Sequence, residues 1–145
     1  MYFVDREKIE ERLTFMEAQL TILKSRQQWE TAIEKAALER VAHTIIEAIL
    51  DTGNAMIDGF IMRDPGSYED IVDILLDEKV IHSSLANILK EVITCRKMLV
   101  QQYEAVDHSL LMEKVVKQLD YLEEFPVSVR KYLVHELGPV SAFKK

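Results

Sequence analysis

Between Ile33 and Phe60 the chain carries two neighbouring rows of apolar residues at helical spacing. Ile33, Ala37, Val41, Ile45 and Ile49 form one row, and Ala42, Ile46, Leu50, Gly53, Ile57 and Phe60 the other. Residues three and four apart share a face of a helix, so two adjacent rows make a stripe too wide for a helix lying on a surface. Such a segment must be covered on several sides, which calls for other helices around it. Composition agrees: only 4 Gly and 3 Pro occur in 145 residues, so turns are few and elements long. No stretch shows the strict alternation of a half-buried strand. The sequence therefore predicts an all-α protein, a four- to five-helix bundle with mostly antiparallel neighbours. It predicts one domain over residues 1–138 and a flexible tail over 139–145.

The remaining helices follow from spacing and caps. Asp5 is placed to cap a first helix running to about Gln27, with Ile9, Leu13, Met16, Leu20 and Leu23 as a narrow heptad-like seam. Thr31 and Glu34 stand in capping-box register at the start of the second helix. Gly53 is costly in its interior, by roughly 1 kcal/mol, which predicts a close approach by another backbone. Asn54 beside it is either a satisfied core amide or the lining of a site, the first being favoured. Arg63-Asp-Pro-Gly-Ser67 breaks the chain, with Ser67 as the next cap. Ile71, Ile74 and Leu75 form a short third helix, and Ser83 or Ser84 starts a fourth that carries Leu85, Ile88, Leu89, Val92 and Leu99. A fifth begins at Asp107 or Ser109 and should kink or restart at Pro126, which lacks an amide hydrogen. Gly138-Pro139 ends it.

Several classes of function are excluded. A net charge of −7 does not suit a general nucleic-acid binder, although Arg96–Lys97 is a local basic pair. The N-terminus is charged from the fifth residue, unlike a signal peptide, and Val80 to Leu89 is too short to span a bilayer. The single Cys95 fits a small core residue in a reducing cytosol. The four histidines have no metal-ligand spacing, and His43–Glu47 is an ordinary i, i+4 pair, so no metal and no cofactor is expected.

Arg96 and Tyr103 stand out. Seven residues apart, they fall about 20° from each other on an ideal helix, inside the apolar stripe of the fourth helix. A guanidinium cannot shed its charge, so it needs an anion, a carbonyl or water. Either it pairs with a carboxylate or reaches out at a helix end, or the stripe faces a cleft or a second subunit.

Two stretches together resemble a known family. Ile49-Leu-Asp-Thr-Gly-Asn54, followed by Arg96-x-x-x-Val100-Gln-x-Tyr103-x-x-Val106-Asp107, is similar to the HepT-like branch of the HEPN proteins. The segments Ser-Tyr-Glu-Asp-Ile at Ser67 and Leu-Ala-x-x-Leu at Leu85 belong to the same similarity, which runs from Asp5 to Leu133. The resemblance implies a cytoplasmic homodimer with a metal-independent endoribonuclease site at the dimer interface. It also implies the role of toxin, with a minimal nucleotidyltransferase of MntA type as antitoxin and RNA as substrate. The family motif is R-x-x-x-x-H-x-Y. Arg96 matches its catalytic arginine and Tyr103 the tyrosine that the partner AMPylates, with Lys97 and Asn54 as supporting residues. The histidine position is Gln101, which cannot exchange a proton near neutral pH. Three readings follow: an active ribonuclease toxin, a non-enzymatic helical homodimer that keeps its partner and Tyr103, and an unrelated bundle that binds a ligand between its helices. Gln101 lies about 140° round a straight helix from Arg96. The helix must therefore distort or end near Gln101, or a two-fold related copy must complete the site.

Overall fold

The computed structural model describes residues 2–138; the expected tail lies outside them. Six α-helices and one 3₁₀ turn make up the described residues, with no strand among them. Helix α1 spans Arg6–Lys24, α2 Ala32–Gly59, α3 Tyr68–Asp77, α4 Ser83–Gln101, α5 His108–Lys114 and α6 Leu119–Leu137.

Except at the fourth helix, the predicted caps form. Asp5 accepts from the Lys8 amide, and Thr31 and Glu34 exchange both bonds of a capping box. Ser67 accepts from the Asp70 amide. At α4 the cap is not a serine but His82, whose Nδ1 accepts from the Leu85 amide at 3.2 Å. Helix α1 also stops at Lys24, short of Gln27.

Helix α2 is the centre, as its two apolar rows require. Val41, Ile45, Ile49, Ala42, Ile46, Leu50 and Ile57 are all buried in one contiguous core. Ile33 departs from the prediction: it sits in the first turn of α2, before the neighbouring helices close over it, and is 83% exposed. Gly53 admits a side chain rather than a backbone, since a Cβ there would run into Cγ2 of Ile71 on α3. Asn54 is exposed and is not a core amide.

Cross-links fix the helix directions. Gln19 bonds Thr44 at 2.7 Å and Arg12 pairs with Asp51 at 3.7 Å, so α1 and α2 run antiparallel. Lys24 pairs with Glu123 at 2.6 Å, and Arg130 pairs with Glu17 and Glu10, at 2.7 and 2.6 Å, which sets α6 antiparallel to α1. Those two carboxylates raise the Arg130 guanidinium above its ordinary range, the Glu17 hydrogen bonds contributing most.

The break in the C-terminal third does not fall at Pro126. It falls at the 3₁₀ turn Val116–Gln118, and Pro126 lies inside α6, buried beside Phe125. A proline removes one amide donor and crowds the preceding turn. Here the apolar ring is buried in the core, and the helix continues through it.

The contact between α2 and α3 gives a test. Overpacking typically costs about 1–3 kcal/mol, whereas alanine is about 1 kcal/mol better than glycine in a helix interior. We expect Gly53→Ala to lower stability in urea unfolding, and the same change made on top of Ile71→Ala to be neutral or stabilising.

Candidate active site

Arg96 lies about three-quarters of the way along α4, on the side that meets α2. Its Nε donates to Oε1 of Glu47 at 2.6 Å. Its guanidinium carbon lies 4.6 Å from the ring centroid of Tyr68, the first residue of α3. The guanidinium is thus held by a carboxylate at one nitrogen and by an aromatic face, within the range of a cation–π contact. No hydrogen bond reaches its two terminal amino nitrogens among the described residues. Those are the donors with which an arginine grips a phosphate. A guanidinium is charged at any ordinary pH, and the Glu47 hydrogen bond raises that of Arg96 further above its ordinary range.

Glu47 also faces a histidine. His43, one turn earlier on α2, places Nε2 3.3 Å from the same Oε1. One turn earlier again, Glu39 binds His108 at 2.7 Å. Glu39, His43 and Glu47 therefore form a polar ridge along α2, facing the end of α4 and the start of α5.

The seat of Tyr68 is built by the break before α3. Arg63 binds Asp70 through two parallel contacts of 2.7 and 2.8 Å, and the Gly66 amide donates to the same carboxylate at 2.8 Å. The Arg63 hydrogen bonds, then the Gly66 amide, hold the Asp70 carboxyl at about 2.

The other predicted residues lie further along. Gln101 is the last residue of α4 and is still helical, so it remains on a different side of the helix from Arg96. The helix does end there, with Gln102 as its C-cap. Tyr103 lies past that end and does not join the apolar stripe; it is 68% exposed on a turn. That turn is tied at both edges. The Asp107 amide donates to Sδ of Met98 at 3.2 Å, and Asp107 caps α5, whose first residue is the anchored His108. Lys97 and Asn54 are exposed and make no side-chain hydrogen bond or ion pair among the described residues. The structure thus brings Arg96 to Glu47, Tyr68 and His43, and leaves Gln101 and Tyr103 outside that cluster.

Cys95 is buried next to Arg96, and burial pushes its thiol up, which suits a core residue. No group of three or more His, Cys, Asp or Glu side chains able to hold a metal ion occurs among the described residues. None of the described helices is long and apolar enough to cross a membrane.

This arrangement of helices has known relatives. The family description "Ribonuclease HepT-like" matches residues 9–136, and the chain belongs to this HepT-like family. It is 54% identical to the candidate RNase YutE of Bacillus subtilis (strain 168), over 99% of this chain and 100% of that one. The solved structure of that cytosolic B. subtilis protein superposes with a TM-score of 0.94. A toxin–antitoxin structure with AMP-PNP shares the fold at a TM-score of 0.76 and 16% identity, covering 85% of this chain and 97% of that one. The structure of the tri-AMPylated Shewanella oneidensis HEPN toxin in complex with its MNT antitoxin shares it at 0.75 and 17% identity, covering 85% of this chain and 96% of that one.

The Arg63–Asp70 contact has a definite pH signature. Asp70 titrates lower folded than unfolded, where an aspartate titrates near about 3.9. The contact therefore stabilises the fold above roughly pH 4, and the gain is lost as pH falls through about 2. In urea unfolding, the stability gap between wild type and Arg63→Gln should be constant from neutral pH down to roughly pH 4, then close.

Proposed function

We propose that this protein is a metal-independent endoribonuclease, the toxin of a two-component system whose antitoxin is a minimal nucleotidyltransferase of MntA type. The observation that carries the reading is Arg96. Its Nε is held by Glu47, its guanidinium carbon lies over the ring of Tyr68, and its two terminal amino groups carry no protein hydrogen bond among the described residues. Such a guanidinium is set to meet the non-bridging oxygens of a phosphodiester and the charge that grows on them during cleavage. The likeness to the HEPN toxins supports the reading at the level of family and fold.

The active form is a homodimer with the Arg96 cluster of each subunit at the two-fold interface. Gln101 lies on the last turn of α4, and Lys97 on the turn between it and Arg96. A second copy would bring this last turn towards the first copy's Arg96, as an isologous interface brings the same helix from both subunits together. Light scattering at micromolar concentration should give a dimer, and a strictly monomeric species would count against this arrangement.

Tyr103 is the acceptor through which the antitoxin silences the site. Its phenol stands exposed on a turn fastened at Met98 and Glu39, where a nucleotidyltransferase could reach it. Co-expression with such a partner should add AMP to the wild-type protein by mass spectrometry and should add none at this position in Tyr103→Phe.

The second reading, a non-enzymatic homodimer that keeps the partner, is favoured by one residue. Gln101 stands where the motif has a histidine, and an amide cannot take or give the proton of the reaction. Cleavage of RNA and arrest of growth should be compared for wild type, Arg96→Ala and Gln101→His. An active wild type with Arg96→Ala reduced at least about 10²-fold supports the ribonuclease. Activity that appears only in Gln101→His supports the non-enzymatic relative.

A further inference from the structure

Cleavage of RNA without a metal needs a group that exchanges a proton near neutral pH, and position 101 does not supply one. The chain has 4 histidines. His135 is 83% exposed in the last turn of α6, and His82 caps α4 and pairs with Glu124 on α6. His108 is engaged by Glu39, two turns and about 12 Å along α2 from Glu47. His43 differs from these. Its Nε2 lies 3.3 Å from Oε1 of Glu47, and that same oxygen accepts from Nε of Arg96 at 2.6 Å. One carboxylate oxygen thus holds a phosphate-directed cation on one side and lies 3.3 Å from a titratable ring on the other. The three side chains are 29%, 33% and 25% exposed for His43, Glu47 and Arg96, open enough for a ligand to touch.

We infer that His43 is the proton-transfer residue of this site, doing from α2 the work that Gln101 cannot do from α4. The inference rests on the ribonuclease reading given above. Nε2 faces Glu47, which leaves Nδ1 to act on the substrate. Nδ1 takes the proton of a ribose 2′-hydroxyl, the 2′-oxygen bonds to phosphorus, and the bond from phosphorus to the 5′-oxygen breaks. The leaving oxygen takes a proton from water, and the hydroxide so formed receives the proton held by the imidazolium. The products are a 2′,3′-cyclic phosphate and a 5′-hydroxyl, with no net change in protons. Arg96 grips the phosphate in this step. Glu47 is a positioning residue that orients both groups and steadies the imidazolium.

The test uses the full-length protein and a labelled single-stranded RNA. His43→Ala and His43→Gln should each cleave 10²–10⁴-fold more slowly than wild type. Added imidazole should restore a measurable part of the rate to His43→Ala, where the ring has left a gap at a half-open position, and none to His43→Gln. His135→Ala, far from the cluster, should cleave like wild type, and circular dichroism of each variant should be unchanged. If His43→Ala cleaves at the wild-type rate while Arg96→Ala does not, the assignment of His43 falls and the ribonuclease reading stands. A loss in His43→Ala that imidazole does not relieve makes His43 a structural residue and likewise overturns the assignment. A wild type inert towards RNA removes both.

Discussion

Arg96 carries a charge that no ordinary pH removes, on a helix whose neighbouring positions are core. Cys95 and Leu99 flank it in the buried face of α4. Where α4 can lie is therefore decided by where α2 offers a carboxylate. Helix α2 offers several at regular steps, and each takes a side chain from a different helix: Glu39 takes His108 of α5, Glu47 takes Arg96 of α4, and Asp51 takes Arg12 of α1. Partly exposed pairs such as these contribute little net stability, at most about 1 kcal/mol each. Their effect is on register. The apolar rows of α2 would accept a neighbouring helix slid by a turn, whereas α4 slid one turn towards the start of α2 would set Arg96 against His43 instead of the Glu47 carboxylate.

The bundle could be read from the chain because its determinants are local. Caps at Asp5, Thr31 and Ser67, the two rows of α2 and the break at Arg63 to Ser67 are each set by a few adjacent residues. The errors have the opposite character. Gly53 marked a close approach, but that the visitor is the side chain of Ile71 depends on how α3 folds back. Pro126 looks like a break because the rule for proline concerns the isolated helix. The real break at Val116–Gln118 hides because Leu111, Val115, Leu122 and Val129 keep nearly one phase across it.

The candidate site divides in the same way. Arg96 could be singled out by its place in an apolar stripe. The pairing with Glu47 spans 49 residues and leaves no mark on local spacing. His43 and Glu47 were visible only as an i, i+4 pair of a kind that helix surfaces produce often. What makes the pair unusual is the arginine that arrives from another helix. Tyr68 belongs to a segment of the family resemblance, yet by local spacing it reads only as the residue after a cap, and only the fold brings its ring under a guanidinium.

The two ends of the described residues meet. Arg6 donates through Nη1 to the carbonyl of Gly138 at 2.9 Å, and the Phe3 amide donates to Gly59 at the close of α2. The absence of a side chain on Gly59 lets Val4 lie directly on it. Tyr2 and Tyr132 stack edge-on against Phe60 from either terminus, with centroids 4.8 and 5.1 Å away. A bundle closed in this way tolerates a new cut where an exposed connection carries none of its bonds. The first and last described helices could be joined by a short linker and the chain reopened at the exposed pair Gln27 and Gln28, with α1 still lying between α2 and α6. The order of the helices along the chain is then a matter of genetic history, while their order in space belongs to the physics.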